Sequence, residues 1–481
     1  MLNRRDFVAL GASTAVAAMT RPAWAASANE TIGLGFIGLG GQGNGLLDRF
    51  SKQPGVAVRW LCDADEARAA AAGEKHPGAQ TTQDLRRVID AEDVDAVVIA
   101  TCNHWHCMAA VMAMEAGKDV YVEKPLSHNV HEGRDTVATA RRLGRMVQLG
   151  TQQRSDPMQQ ELRKFFHETQ ELGPLQSVEV CRYGVRESIG KRSTPLTPPK
   201  TVDYNLWLGP AQDIPIDRDN FHYDWHWVWN TGNGEMGNWG VHLVDDVLNV
   251  AFLDKTPVPK SVQGGGGRVI WDDAGQTANV HFAKYETDTI PVVIGLSNLR
   301  AKPGENRPLR RKIVDCGYIV NCEGGYYCGW RGGGVAFDKD GKELRKFRGT
   351  TGVMEHPANF LQAVRTRNRD LLTAEVAVGD ASTNWCHLAN IAQRMGKAGA
   401  GSSLPVGEGS WLGTLGALQT HLEAYDLSLA NQQIEVSDVL TLAEGECRFT
   451  GDHADRANEF LTRQYRAGFE WPGGVTTAAA S

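Results

Sequence analysis

Gly38-Leu39-Gly40-Gly41-Gln42-Gly43 is followed, twenty positions after its last glycine, by the carboxylate of Asp63. That spacing suits a cradle for a dinucleotide phosphate. Gly38 permits a tight turn, Gly40 lets the backbone approach a pyrophosphate, and Gly43 allows a helix to pack closely on a strand. Gly41 and Gln42 fall at the start of that helix, where free N–H groups stabilise an anion. A carboxylate at Asp63 would accept the ribose hydroxyls, which selects NAD and repels a 2′-phosphate. Arg59 and Arg68 stand nearby and keep NADP open.

The surrounding pattern supplies the elements this loop needs. Residues 32–37 form a short apolar run into the loop, residues 46–50 read as helix, and residues 56–62 read as the next strand, ending at Asp63. Residues 94–101 are a continuous apolar strand, as expected for a parallel sheet covered on both faces. It ends at Thr101 and runs into Cys102-Asn103-His104-Trp105-His106-Cys107, read as a loop before a helix over 108–116. Residues 119–122 form a further strand, which delivers Glu123-Lys124-Pro125. Ligands in such sheets sit at the strand carboxyl ends, so both polar clusters fall at the expected site. A metal at Cys102, His104, His106 and Cys107 is not expected, because their spacing fits no closed zinc pattern.

Residues 221–229, which include Trp225 and His226, are the aromatic peak of the chain. Aromatic faces suit the C–H faces of a sugar ring, and their polar neighbours suit its hydroxyls.

Arg4-Arg5-Asp6-Phe7-Val8 opens an apolar run that ends at Arg21-Pro22 and is followed by Ala23-Trp24-Ala25. This order reads as a cleaved twin-arginine signal over residues 1–25, so the expected location is periplasmic, by way of the twin-arginine export machinery. The run is too short to span the ~30 Å of bilayer hydrocarbon, and no stable membrane insertion is expected. Free nicotinamide cofactor belongs to the cytoplasm, so an exported chain with this loop should carry its dinucleotide out tightly bound.

The 481 residues suffice for two or three domains, and formal net charge is −7. The signal holds Arg4, Arg5 and Arg21 against Asp6, so its loss removes two net positive charges and leaves −9. Nucleic acid is excluded as a partner, since it needs a basic footprint. Cys316, Cys322 and Cys328 recur every six residues, read mainly as small buried hydrophobes.

The chain resembles the glucose–fructose oxidoreductase / inositol dehydrogenase / rhizopine-catabolism (Gfo/Idh/MocA) family. The matching pieces are the glycine loop, Ala100-Thr101, Glu123-Lys124-Pro125, Gly240-Val241-His242-Leu243-Val244-Asp245, His356-Pro357-Ala358-Asn359-Phe360 and Cys386-His387-Leu388-Ala389-Asn390. The resemblance implies an α/β chain: a Rossmann domain over 30–150, then an α/β domain with a large, mostly antiparallel sheet over 151–400. Residues 401–481 are read as an extension packed on the second domain. The open face of the large sheet would help form the substrate site and often the contact of a homo-oligomer. The implied activity is oxidation or reduction of a sugar, polyol or related hydroxyl.

By the same resemblance Lys124 takes or relays the hydroxyl proton, with Glu123 fixing it beside the nicotinamide. His242 matches a second proton-transfer position. Many relatives carry Asp where this chain has Asn238, and Asn cannot charge an imidazole as a carboxylate does. Asn238 would then bond the substrate, and Asp245 or Asp246 would supply the missing carboxylate. Asn103, His104 and His106 lie where the family contacts nicotinamide and substrate. Arg154, Tyr183 and Asp246 complete the substrate candidates. Redox-neutral cleavage or epimerisation through transient oxidation is the alternative reaction, and sugar binding without catalysis a third reading.

In the second domain, residues 177–183, 261–271, 277–285, 290–297 and 312–321 read as strands, with Gly264–Gly267 as a flexible connection or bulge. Asp340-Gly341 marks a hairpin, and residues 355–367 and 379–396 read as helices.

Overall fold

The computed structural model describes residues 31–404 and 411–472. The signal expected over residues 1–25 lies outside the described residues.

Strand and helix alternate through the first domain: β1 (Ile32–Ile37), α1 (Gly41–Ser51), β2 (Val56–Cys62), α2 (Glu66–Lys75), β3 (Gln80–Thr82), α3 (Leu85–Ile89), β4 (Ala96–Ile99), α4 (Asn103–Glu115), β5 (Asp119–Val122), α5 (Val130–Leu143) and β6 (Val147–Leu149). The six strands form one parallel sheet in the order β3-β2-β1-β4-β5-β6. Every residue of β1, β4 and β5 is buried, which is why they read as unbroken apolar runs. Strand order reverses between β1 and β4, and the crevice at their carboxyl ends is the ligand position in such sheets.

The polar cluster read as a loop belongs instead to α4, with Cys102 at its cap and Asn103 its first residue. Helical spacing groups Asn103 with His106 and turns His104 about 100° away.

The second domain is a twelve-stranded sheet. After α6 (Pro157–Lys164) come β7 (Leu175–Tyr183), α7 (Tyr204–Leu208), α8 (Val241–Val250), β8 (Ser261–Gly267), β9 (Val280–Glu286), β10 (Val292–Ser297), β11 (Cys316–Cys322), β12 (Gly325–Trp330), β13 (Gly333–Asp338) and β14 (Glu343–Arg348). Then follow α9 (Glu355–Thr366), α10 (Val376–Arg394), β15 (Lys397–Ala398), α11 (Thr414–Glu423), β16 (Glu435–Val436), β17 (Leu440–Leu442) and β18 (Phe449–Thr450). The β7–β10 pair is parallel and the other pairs are antiparallel. Asp340-Gly341 falls in the β13–β14 turn, where Gly341 has φ +82°.

Side-chain parity divides the strands between two cores. Val178, Val180, Ile294 and Tyr318 face α8 and α10. Cys181, Tyr183, Val293 and Ile319 face the other way, toward Leu415, Leu418 and Leu422 of α11. The outer face around these residues is therefore covered by the chain's own tail.

Gly264–Gly267 is not a connection but the second half of β8. A Cβ at Gly265 would sit 2.7 Å from the Glu435 carbonyl, and one at Gly267 1.8 Å from that of Gln433. Glycine there lets the tail strand β16 pair directly with β8. The tail also crosses to the first domain, where Trp471 donates to Asp135 and Tyr465 to Glu132. All nine cysteines are unbridged, with Cys322 and Cys328 buried and Cys316 half-buried. No helix among the described residues is long and apolar enough to cross a membrane.

Candidate functional site

A cavity of about 720 Å³ opens at the carboxyl ends of β1, β2, β4 and β5 and continues to the edge of the large sheet. Its floor at one end is the glycine loop. Gly38 has φ +93°, a conformation that favours glycine. A Cβ at Gly43 would sit 1.9 Å from the Gly38 carbonyl oxygen. Gly40 caps α1 with no side-chain hydrogen bond, and nothing lies within 4 Å of a Cβ built on Gly41. The α1 N–H groups therefore face open space with the helix dipole behind them, and the cradle fits a pyrophosphate. Gly43→Ala should abolish binding of NADH, read by fluorescence, and lower stability by roughly 1–3 kcal/mol, read by thermal unfolding.

Asp63 lines the cavity beyond this loop. Its Oδ2 accepts from Leu39 N at 2.7 Å and its Oδ1 from Asp65 N at 2.9 Å. Each oxygen keeps a lone pair for a ribose hydroxyl. Arg68 reaches the same wall, while Arg59 is exposed on β2 and does not line the cavity. Thr101, Asn103 and His106 line the adjoining wall. Asn103 donates to Asn233 Oδ1 at 2.9 Å, and the His106 ring lies between the carbonyls of Pro125 (2.7 Å) and Thr101 (3.1 Å). Burial holds the His106 imidazole down at about 4, so it is neutral.

At the other end stands Lys124. Its Nζ donates to Asn238 O at 2.9 Å and Oδ1 at 3.3 Å, leaving one N–H directed elsewhere. Burial pushes the ammonium down from its usual range, against the pull of Glu123 and Glu235. Glu123 is buried, and its Oε1 accepts from Gln42 (2.7 Å) and Gln152 (3.0 Å). Gln42 thus ties the glycine loop to the Glu-Lys-Pro segment.

A π-helical turn, Met236–Gly240, precedes α8 and brings Asn238, Trp239 and His242 to the cavity. Asn238 Nδ2 donates to Glu235 Oε2 at 3.2 Å. Glu235 is held by Arg182 at 2.6 Å and Arg186 at 3.1 Å. Burial raises its carboxyl, but the two arginines outweigh this and keep it below the usual range. His242 has no partner at Nδ1. Burial, with Arg331, Lys124 and Arg182 adding to it, holds the imidazole well below its usual range. The ring is therefore neutral, and its unpartnered nitrogen is available for a hydrogen bond rather than for a stable proton. His226 also lines the cavity, stacked on Trp225 at 3.6 Å between ring centroids. Its Nδ1 lies 2.6 Å from the Tyr223 carbonyl, which fixes the proton there and leaves Nε2 an acceptor.

Five expected site residues do not reach the cavity. His104 faces away on α4, its ring between the carbonyls of Thr231 and Trp207. Tyr183 points to the outer face of β7, under α11. Its neighbour Arg182 has the opposite parity and reaches Glu235. Arg154 is spent in a buried ion pair with Asp245 at 2.7 Å and with Asp254 at 2.8 Å. That pairing removes Asp245 as a partner for His242. Asp246 lies one helical turn below His242, with neither oxygen hydrogen-bonded, and burial pushes its carboxyl well above the usual range. The carboxylate at this site is Glu235, one turn before Asn238, a spacing visible in the sequence. Gln152, Trp239 and Arg331 line the cavity without having been singled out by type or spacing. Among the described residues no group of His, Cys, Asp or Glu is arranged to hold a metal ion.

Residues 32–151 match the family model of an oxidoreductase family's NAD-binding Rossmann fold, and residues 187–400 match that of its C-terminal alpha/beta domain. The chain belongs to the Gfo/Idh/MocA oxidoreductase family. An inositol 2-dehydrogenase of Corynebacterium glutamicum is 34% identical over 149 residues, 31% of this chain and 44% of that protein. An alpha-N-acetylgalactosaminidase of Shewanella oneidensis is 34% identical over 122 residues, 24% of this chain and 27% of that protein. The chain thus matches under half the length of either relative. Among solved structures, a levoglucosan dehydrogenase in complex with NADH and levoglucosan has a TM-score of 0.57 at 16% identity, covering 76% of this chain and 98% of that one. The WlbA dehydrogenase of Bordetella pertussis, in complex with NADH and UDP-GlcNAcA, has a TM-score of 0.57 at 16% identity, covering 76% and 97%. At these identities the likeness is one of fold.

Proposed function

We propose that this member of the Gfo/Idh/MocA family is an exported, NAD-dependent oxidoreductase of a sugar, glycoside or polyol hydroxyl. The carrying observation is a single cavity that holds a phosphate cradle at one end and Lys124 with His242 at the other. A bound nicotinamide would supply the hydride acceptor or donor. The chain's own residues manage the proton. Lys124, in its neutral form, takes the hydroxyl proton as the alcohol is oxidised and returns it in the reverse direction. Asn238 fixes its Nζ, and Glu235 fixes Asn238. His242 offers a neutral ring nitrogen for a hydrogen bond to the substrate, and Trp225 with His226 present an apolar face and an acceptor to a sugar ring.

The export reading rests on residues 1–25. It implies a dinucleotide loaded before export, held tightly, and recycled in place by a second substrate. NAD is preferred to NADP because a carboxylate, Asp63, stands at the ribose position.

A redox-neutral glycosidase is the second reading, favoured by the galactosaminidase match. Transient oxidation acidifies the neighbouring C–H, elimination expels the aglycone alcohol and leaves an unsaturated ketone, water adds to it at the anomeric carbon, and re-reduction of the carbonyl restores the sugar. Incubating the protein with a glycoside and no added acceptor separates the two. The oxidoreductase reading expects no release of reducing sugar, and sustained release establishes the glycosidase.

A further inference from the structure

Arg331 projects from the β12–β13 turn, where Gly332 has φ +76°, and lines the cavity. Several interior arginines are matched by carboxylates: Arg154 by Asp245, Arg182 by Glu235, Arg268 by Asp273 and Arg311 by Glu179. Arg218 and Arg463 lack one, but they donate to backbone carbonyls and do not line the cavity. Arg331 has no carboxylate partner among the described residues. Its one hydrogen bond there is Nη2 to the neutral Gln152 Oε1, at 3.3 Å. Its charge acts on both Lys124 and His242, so it belongs to the substrate end.

The charge count at that end is unbalanced. With Lys124 protonated, it and Arg331 are cationic, and both imidazoles are held neutral by burial, His226 at about 3. Glu123 is the carboxylate of the wall, and its oxygens are already engaged by Gln42, Gln152 and Lys124 N. Glu235 is committed to its arginines. One positive charge therefore faces the cavity without compensation, on a planar fork whose remaining donors match a carboxylate.

We propose that Arg331 anchors a carboxylate of the substrate, so that the sugar acted upon is acidic, a hexuronic acid or its glycoside, rather than neutral. The proposal rests on the dehydrogenase reading and sharpens its substrate class. Calorimetry on the NADH-loaded protein, with glucuronate, galacturonate and mannuronate each set against its neutral hexose, tests it. At least one uronate should bind roughly 10–100-fold more tightly than its neutral counterpart. Arg331→Met should erase that difference, leaving neutral-sugar and NADH binding and the thermal midpoint unchanged, and Arg331→Lys should restore part of it. Equal binding of every acid and its neutral partner, an undiminished preference in Arg331→Met, or tighter binding of hexose 6-phosphates than of uronates overturns the proposal. If NADH does not bind the unaltered protein, the dehydrogenase reading falls with it. If NADH binds and no uronate is preferred, the acidic-substrate proposal alone falls.

Discussion

Lys124→Met should lower kcat by roughly 10²–10⁴-fold, the usual contribution of a positioned proton-transfer group, while NADH binds nearly as before. The expectation follows from three features of the site. The side chain lines the cavity, the Asn238 carbonyl and side-chain oxygens fix its Nζ, and burial lowers its proton affinity. Met keeps most of the apolar stem, so what is removed is the titrating nitrogen. A purely structural Lys124 would show its loss in the thermal midpoint or in KM instead. The pH profile gives a second readout. In the direction of alcohol oxidation the neutral amine is the active form, so kcat should rise with pH to a plateau. Because burial depresses the folded-state value, the apparent pKa of that rise should lie below 10.5, the ordinary lysine value. Lys124→Met should lack that limb.

Stability should fall steeply on acidification below pH 6.5. His104 is held at about 3, and His106, His281, His356 and His387 at about 4, each because burial penalises the charged ring. His242 is pushed well below its usual range for the same leading reason. For these six the folded value is depressed beneath the unfolded value of 6.5. Their stabilisation is therefore present above pH 6.5 and is lost as pH falls, because the unfolded chain takes up protons that the folded chain refuses. Three buried carboxyls oppose this. Glu132 and Asp380 are raised by burial to about 7, and Asp246 well above its usual range. For them stability is fully present below the unfolded value and lost as pH rises through the folded one. His128, also pushed well below its usual range, and His226, held at about 3, act in the same direction as the six histidines. In the window from about pH 6 to 5 the histidines outnumber the three carboxyls by five, which amounts to on the order of 5 kcal/mol per pH unit. For a protein of this size that corresponds to a drop on the order of 5 °C in thermal midpoint per unit. Calorimetric scans between pH 7 and 5 check this, and a flat midpoint over that range contradicts it.

The parts legible in the sequence were those fixed by local pattern. The glycine loop, the strand after it and Asp63 form one continuous run whose geometry follows from spacing. The unbroken apolar strands announced a covered parallel sheet. The second domain was legible as strands, and the resemblance supplied its sheet. What escaped was parity and phase. Tyr183 and Arg182 are neighbours, and only the register of β7 against its partners decides which faces the site. His104 was grouped with Asn103 and His106 because the segment was read as a loop, and in the helix it faces about 100° away from Asn103. Asp245 has the right helical phase toward His242, but Arg154, ninety-one positions earlier, claims it. Glu235 could have been found from its spacing to Asn238. Arg331 could not, since nothing local distinguishes it from a surface arginine in a turn.

The central claim is that one cavity joins a dinucleotide to a carbohydrate and that hydrogen passes between them. A sugar substrate deuterated at its carbinol carbons, mixed with the protein and NAD and quenched after one turnover, tests this most directly. The account predicts deuterium at C4 of the recovered nicotinamide. Converted sugar beside unlabelled nicotinamide would contradict it.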